Sequence, residues 1–228
     1  VLIFAGFRMF SGARARFSDW FDTGEEISEN SRMEPTSAEV ALLDSGELRD
    51  FQRIAATGGW KIVVRPGEFS VTVRVSEGAA DDVDVYEQND TLHLTVAPGL
   101  RSVTGNLTAE ISMPSLDRIE IDGGADVQLH GLELEQLSIE VDGAASVKAY
   151  DGRIDRLEVD VDGATSLDFS RSRIVDARID MDGASNLNVN MAGGTLTGVL
   201  RGVGNVRYTG TVSEESVRIE GLGRVKAE

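Results

Sequence analysis

Eight carboxylates recur in pairs along the middle of the chain: Glu120 and Asp122, Glu140 and Asp142, Asp160 and Asp162, Asp180 and Asp182. The interval between pairs never varies, and each second acid is followed by a glycine, at Gly123, Gly143, Gly163 and Gly183. Stacked carboxylates are ligands for hard cations such as calcium, which makes Asp122, Asp142, Asp162 and Asp182 the candidate metal ligands. Carboxylate pairs also carry glycoside hydrolysis, but only when the two acids sit in unequal environments. A strict repeat makes its acids equivalent, so no catalytic residue is assigned.

The competing explanation is architectural. Aspartate bonds nearby backbone and glycine accepts positive φ, which makes Asp-Gly a favoured turn pair. Outward positions of a strand are expected to be polar, and runs of charge are usually solvated faces. This explanation is preferred, and no metal site or cofactor is assigned. It carries an expectation. Carboxylates stacked about 4.8 Å apart repel by about 1 kcal/mol in a water-like dielectric, so salt stabilises the fold and calcium binds only weakly.

The elements that position these acids follow from hydrophobic periodicity. Apolar residues stand two and four places before each glycine: Ile119 and Ile121, Ile139 and Val141, Val159 and Val161, Ile179 and Met181. They return four and six places after it, at Val127 and Leu129, Val147 and Ala149, Leu167 and Phe169, Leu187 and Val189. Alternation of period 2 predicts strands on both sides of a corner, followed by a less regular return. Gly58, Gly202 and Gly221 mark further corners that have lost the aspartate. The glycine is therefore the geometric requirement and the acid its replaceable neighbour. Gly124, Ala144, Ala164 and Ala184 follow the corner, where stacking is expected to leave little room.

A single repeat is too short to bury its own apolar face, but stacked repeats can. The fold class expected is all-β, a parallel β-helix or β-solenoid with two main sheets. Strands within residues 60–113, including a hairpin of Val83–Tyr86 with Leu92–Leu94, cap one end. The charges of the terminal "GRVKAE" blunt the other.

Upstream, the chain divides into residues 1–21, residues 22–45 and the head at 46–228. The first begins at Val1 and is apolar, then basic and aromatic. It is read as a short helical or membrane-proximal segment, the tail of a signal or anchor sequence. The second is an acidic linker. The formal net charge of −17 disfavours a nucleic-acid partner. With no cysteine and only His93 and His130, thiolate and histidine-rich sites are poorly supplied. Arg153, Arg156, Arg171, Arg173 and Arg178 fall on the returns, away from the acids. Tyr150 and Tyr208 are outward rings of the kind that stack on sugars, but lone tyrosines on outward strands are ordinary and no sugar site is assigned to them.

The stretch "GELRDFQRIAATGGWKIVVRPGEFSVTVRVSEG", the hairpin "VDVYEQNDTLHLTV", the entry "AEISMPSLDRIEIDGGADVQL" and the Gly-Ala-Ser-like coils together resemble the autotransporter-adhesin head GIN domain family, over about residues 46–228. The resemblance implies a bacterial β-helix, exported to the cell envelope, with a role in adhesion or interaction and no assigned catalytic motif. The expected function is non-enzymatic binding of a protein or glycan surface, with membrane association through residues 1–21 and self-association left open. Two alternatives stand beside it: a carbohydrate-binding or carbohydrate-active β-helix, and a membrane-tethered sensor ectodomain.

Overall fold

The computed structural model describes residues 15–16, 39–41, 48–76, 80–97 and 107–228. They form one open sheet of 11 strands, with a single 3₁₀ turn at Ala80–Asp82 and no α-helix among the described residues. The strands are β1 (Ala15–Arg16), β2 (Glu39–Ala41), β3 (Arg53–Pro66), β4 (Ser70–Ser76), β5 (Val83–Gln88), β6 (Thr91–Val96), β7 (Thr108–Met113), β8 (Arg118–His130), β9 (Glu133–Ala192), β10 (Thr195–Thr211) and β11 (Glu214–Ala227). The two main sheets expected to meet at the corner are hydrogen-bonded into one. Strand pairing continues through the corners where Gly58 meets Gly123, Gly123 meets Gly143 and Gly202 meets Gly221, and skips Arg201-Gly202 against Asp182-Gly183.

The register is that of the repeat. β8 pairs in parallel with the start of β9, Ile119 beside Ile139, Asp122 beside Asp142 and Gly123 beside Gly143. β3 pairs in parallel with β8, placing Thr57-Gly58 beside Asp122-Gly123. From the last repeat of β9 onward the offset is shorter by one position, with Ala184 beside Val203 and Val203 beside Leu222. Because side chains alternate, every inward position meets its counterpart in the next repeat. Ile119, Ile139, Val127, Val147, Leu167, Phe169 and Leu187 are all buried.

The return proves more regular than its sequence implies. Leu134, Ile154 and Ile174 form one buried column at the spacing of the repeat, and Leu137, Leu157 and Ala177 another. β9 consequently runs unbroken for 60 residues. The corner also differs in detail. Ala144, Ala164 and Ala184 face solvent, and the constrained inward position is the next residue, Ala145, Thr165 or Ser185.

Two of those inward residues are polar. Thr165 Oγ1 donates to Ser185 Oγ at 3.0 Å, and both are buried. A buried hydroxyl left without its partner costs about 1–3 kcal/mol, whereas removing both is close to neutral. Ser185→Ala is therefore expected to lower the melting temperature more than the double substitution Thr165→Val with Ser185→Ala. Thermal melts of the two variants and the parent check this.

At the N-terminal end the parallel stack finishes in antiparallel strands. β6 lies beside the first half of β3 and pairs antiparallel with β5 across the turn at Asn89-Asp90, both residues having positive φ. β7 lies beside the second half of β3 and pairs antiparallel with β4. This is the expected hairpin and cap. The helical or membrane-proximal reading of residues 1–21 lies outside the described residues except at Ala15–Arg16, which are extended and pair with β5. The linker reading of 22–45 is likewise outside them except at Glu39–Ala41, which pair with β4. Among the described residues no helix is long and apolar enough to cross a membrane.

Candidate functional site

The glycine corner divides the outer surface into two faces of different chemistry. Before the corner, Glu120 stands beside Glu140 and Asp122 beside Asp142. The same step, repeated where Gly163 stacks on Gly143 and Gly183 on Gly163, carries the columns through Asp160, Asp162, Asp180 and Asp182. Asp122, Asp142, Asp162 and Asp182 are all exposed. The acids are thus in the row the sequence predicted, yet no group of three His, Asp or Glu side chains among the described residues is placed to hold a metal ion.

Arginine bridges the columns at their two ends. Arg118 Nε lies 2.5 Å from Glu120 Oε1, and the same guanidinium reaches Glu140 in the next repeat. At the other end Arg201 pairs with Asp180 and with Glu220, the latter at 3.5 Å, and Arg218 joins Glu220 at 2.9 Å. None of these is among the return arginines singled out from the sequence. Arg201 occupies the corner place that aspartate holds in the earlier repeats, so one cation replaces a fifth stacked anion. The middle acids, Asp142, Asp160 and Asp162, lie between these clamps. Asp142→Asn with Asp162→Asn is expected to raise the melting temperature at low salt, with the gain fading as salt screens the repulsion. Calorimetry with calcium is expected to show no stoichiometric site in the parent.

After the corner the outer columns change character. One runs Asp126, Ser146, Ser166, Asn186, Asn205, Arg224 and its neighbour Gln128, Lys148, Asp168, Asn188, Arg207, Lys226. Amides and hydroxyls dominate the middle of this face. Asn205 Nδ2 donates to Asn186 Oδ1 at 3.1 Å, and Asp168 Oδ1 accepts from the backbone N–H and hydroxyl of Ser170 at 3.0 and 2.6 Å. The face turns basic at β10 and β11. There Arg207, Arg224 and Lys226, with Ser170, Asn188 and Thr209, line an open cleft of about 430 Å³.

Of the two tyrosines expected to face outward, Tyr150 does and Tyr208 does not. Tyr208 stands beside Val189 in an inward column and packs against the core. Tyr150 is covered by its neighbours. His130 stacks on it at 4.9 Å between centroids, and the Arg171 guanidinium lies over it at 4.9 Å. Neither ring presents an open face for a sugar. Burial, aided by the charge of Arg65, lowers the pKa of His130. On the return, Asp176 Oδ1 accepts from the Thr195 backbone N–H at 2.8 Å and from its hydroxyl at 2.9 Å, which lowers its pKa.

The basic cleft was the feature sequence reasoning missed. Aligning the acids and apolar positions leaves it invisible. Its signal is the pair of shortened steps from Asn205 to Arg224 and from Arg207 to Lys226, which add cations to columns that are neutral at Asn186 and Asn188.

A family model described as "Putative auto-transporter adhesin, head GIN domain" matches residues 50–212. The chain belongs to this family. The GIN match covers β3 through β10 and leaves β11, with Arg224 and Lys226 of the cleft, beyond it. Among solved structures, a "putative adhesin" from Bacteroides fragilis has a TM-score of 0.60 at 17% identity, covering 86% of this chain and 100% of that one. A "putative lipid binding protein" from Parabacteroides distasonis reaches 0.48 at 13% identity, covering 79% and 94%. Similarity to the first shows a shared fold over most of the chain. None of the curated proteins matches.

Proposed function

We propose that this GIN-domain chain is a parallel β-helix of the bacterial cell envelope that acts as a non-enzymatic adhesion or interaction module, with the face after the corner as its contact surface. The parallel register, in which each position meets its equivalent in the next repeat, supports the β-helix reading. Family membership supports the envelope location and the adhesive role.

The observation that carries the choice of face is the contrast across the corner. Before it, exposed acids are bridged at the ends of their columns by Arg118 and Arg201. After it, a ladder of hydroxyls and amides runs over a buried, regular stack, so contact groups are held in place before a partner arrives. Preorganised groups lose little entropy on binding, and a ladder repeating about every 4.8 Å suits an extended partner. Asp122, Asp142, Asp162 and Asp182 are all exposed, which argues against hydrolysis, since that needs two carboxylates tuned apart.

The test coats beads with the chain and measures their adherence to a panel of bacterial and host-cell surfaces. Ser166→Glu with Asn186→Glu, both outward on the contact face, is expected to abolish adherence. Asp142→Ala with Asp162→Ala is expected to leave it intact. Loss confined to the acid-face variant would reverse the assignment of faces.

A further inference from the structure

We infer that the cleft at β10 and β11 binds a saccharide bearing an acidic sugar, with the carboxylate held by Arg224 and Arg207 and the hydroxyl groups by Ser170, Asn188 and Thr209. The inference rests on the face after the corner being the contact surface, and names the chemistry it recognises.

Charge is the first argument. The chain as a whole carries −17, yet three cations converge on a single cleft of about 430 Å³. Among the residues lining it, only the carboxylate side chain of Glu228 opposes them, at 3.8 Å from Arg207 Nε and 3.5 Å from Lys226 Nζ. Arg224 forms no ion pair among the described residues. The cleft therefore keeps a local positive excess in a negative molecule. An arginine fork fits a carboxylate with two parallel hydrogen bonds, more strongly than neutral donors do.

The lining is the second argument. Apart from Val189 its lining residues are polar, which suits a hydroxyl-rich ligand better than an acyl chain. Asn188 is a donor and an acceptor, and Ser170 and Thr209, whose hydroxyls donate to Asp168 Oδ1 and Asn190 Oδ1, keep lone pairs that accept, a pattern that suits hydroxyl-rich ligands. The position is the third. The cleft ends the ladder of Ser146, Ser166, Asn186 and Asn205, so a neutral chain of sugars extending from the acidic residue runs along amides and hydroxyls. A polyanion is disfavoured by the field of the whole molecule, which points to a single acidic sugar on an otherwise neutral oligosaccharide.

Calorimetry with the full chain tests this using sialyllactose and a glucuronic-acid-containing disaccharide, against lactose and inorganic phosphate. Binding of at least one acidic saccharide is expected, weakened by salt, with lactose and phosphate failing to bind at the same concentrations. Arg224→Ala, at an exposed position that leaves the core untouched, is expected to weaken binding by about tenfold or more, and Asp142→Ala to leave it unchanged. Failure of both acidic saccharides, equal binding of lactose, or equal competition by phosphate overturns the inference. The bead assay separates the two levels. If adherence persists and still depends on Ser166 and Asn186 while the saccharides fail, only the ligand class falls. If adherence is indifferent to that face, the contact-surface reading falls with it.

Discussion

Gly163→Val is expected to prevent folding, while Asp162→Ala beside it changes the melting temperature by only a few degrees. Two independent constraints meet at this glycine. Its φ is +138°, in the region that a β-branched residue rarely adopts. Its missing side chain is also the space into which the preceding repeat projects. A Cβ placed there would overlap the carbonyl oxygen of Gly143, which is backbone and cannot rotate away. Gly143 stands in the same relation to the Gly123 carbonyl, with φ of +128°. A side chain at either corner separates adjacent repeats where their ladder is continuous, so the damage spreads to pairing on both sides. The cost exceeds about 4 kcal/mol, the range reserved for such special positions. Asp162 is exposed and lies in a row of like charges, so its removal loses little and relieves repulsion. Circular dichroism melts of both variants measure the difference. Equal losses would mean that the aspartate, not the glycine, builds the corner.

The same contrast shows what could be read from the chain. The Asp-Gly spacing exposes the stacking because parallel register places chemically identical positions next to one another, and hydrophobic columns must then repeat at the same interval. Ile139 and Val147 are legible for that reason. The return was harder to read. Leu134, Ile154 and Ile174 do repeat, but charged residues such as Arg153, Asp155 and Arg173 surround them and mask the alternation. The arginine clamps were hidden for a different reason. Arg118 is a near neighbour of Glu120 in sequence but a full repeat away from Glu140, and only the register shows that one long side chain reaches both. The cleft depends on a step shortened by a single position, which brings Arg207 beside Asn188 and Lys226 beside Arg207. One lost residue in a return is easily overlooked in sequence, yet it decides which side chains stack.

Register also sets the other large effect. Leu167→Asp is expected to abolish cooperative unfolding, while Asp168→Ala, one residue on, is expected to cost about 1 kcal/mol. Leu167 is fully buried, in the column of Val127, Val147 and Leu187. An aspartate there would meet aliphatic neighbours from the repeats on both sides. No described cation lies in that column to pair with it. An unpaired buried carboxylate must either remain charged in a low dielectric or take up a proton, and both are costly on the scale of the whole stability of a domain. Asp168 points the other way. Its carboxylate accepts from Ser170 N–H and Ser170 Oγ, so truncation loses a local bond that water replaces in part. Chemical denaturation resolves the two by midpoint and slope. The Leu167 variant should show no cooperative transition, whereas Asp168→Ala should shift the midpoint slightly at unchanged slope. Similar losses at both positions would mean that the strand after the corner is displaced by one residue, which would also turn Asn186, Asn188 and Arg207 away from the face assigned to them.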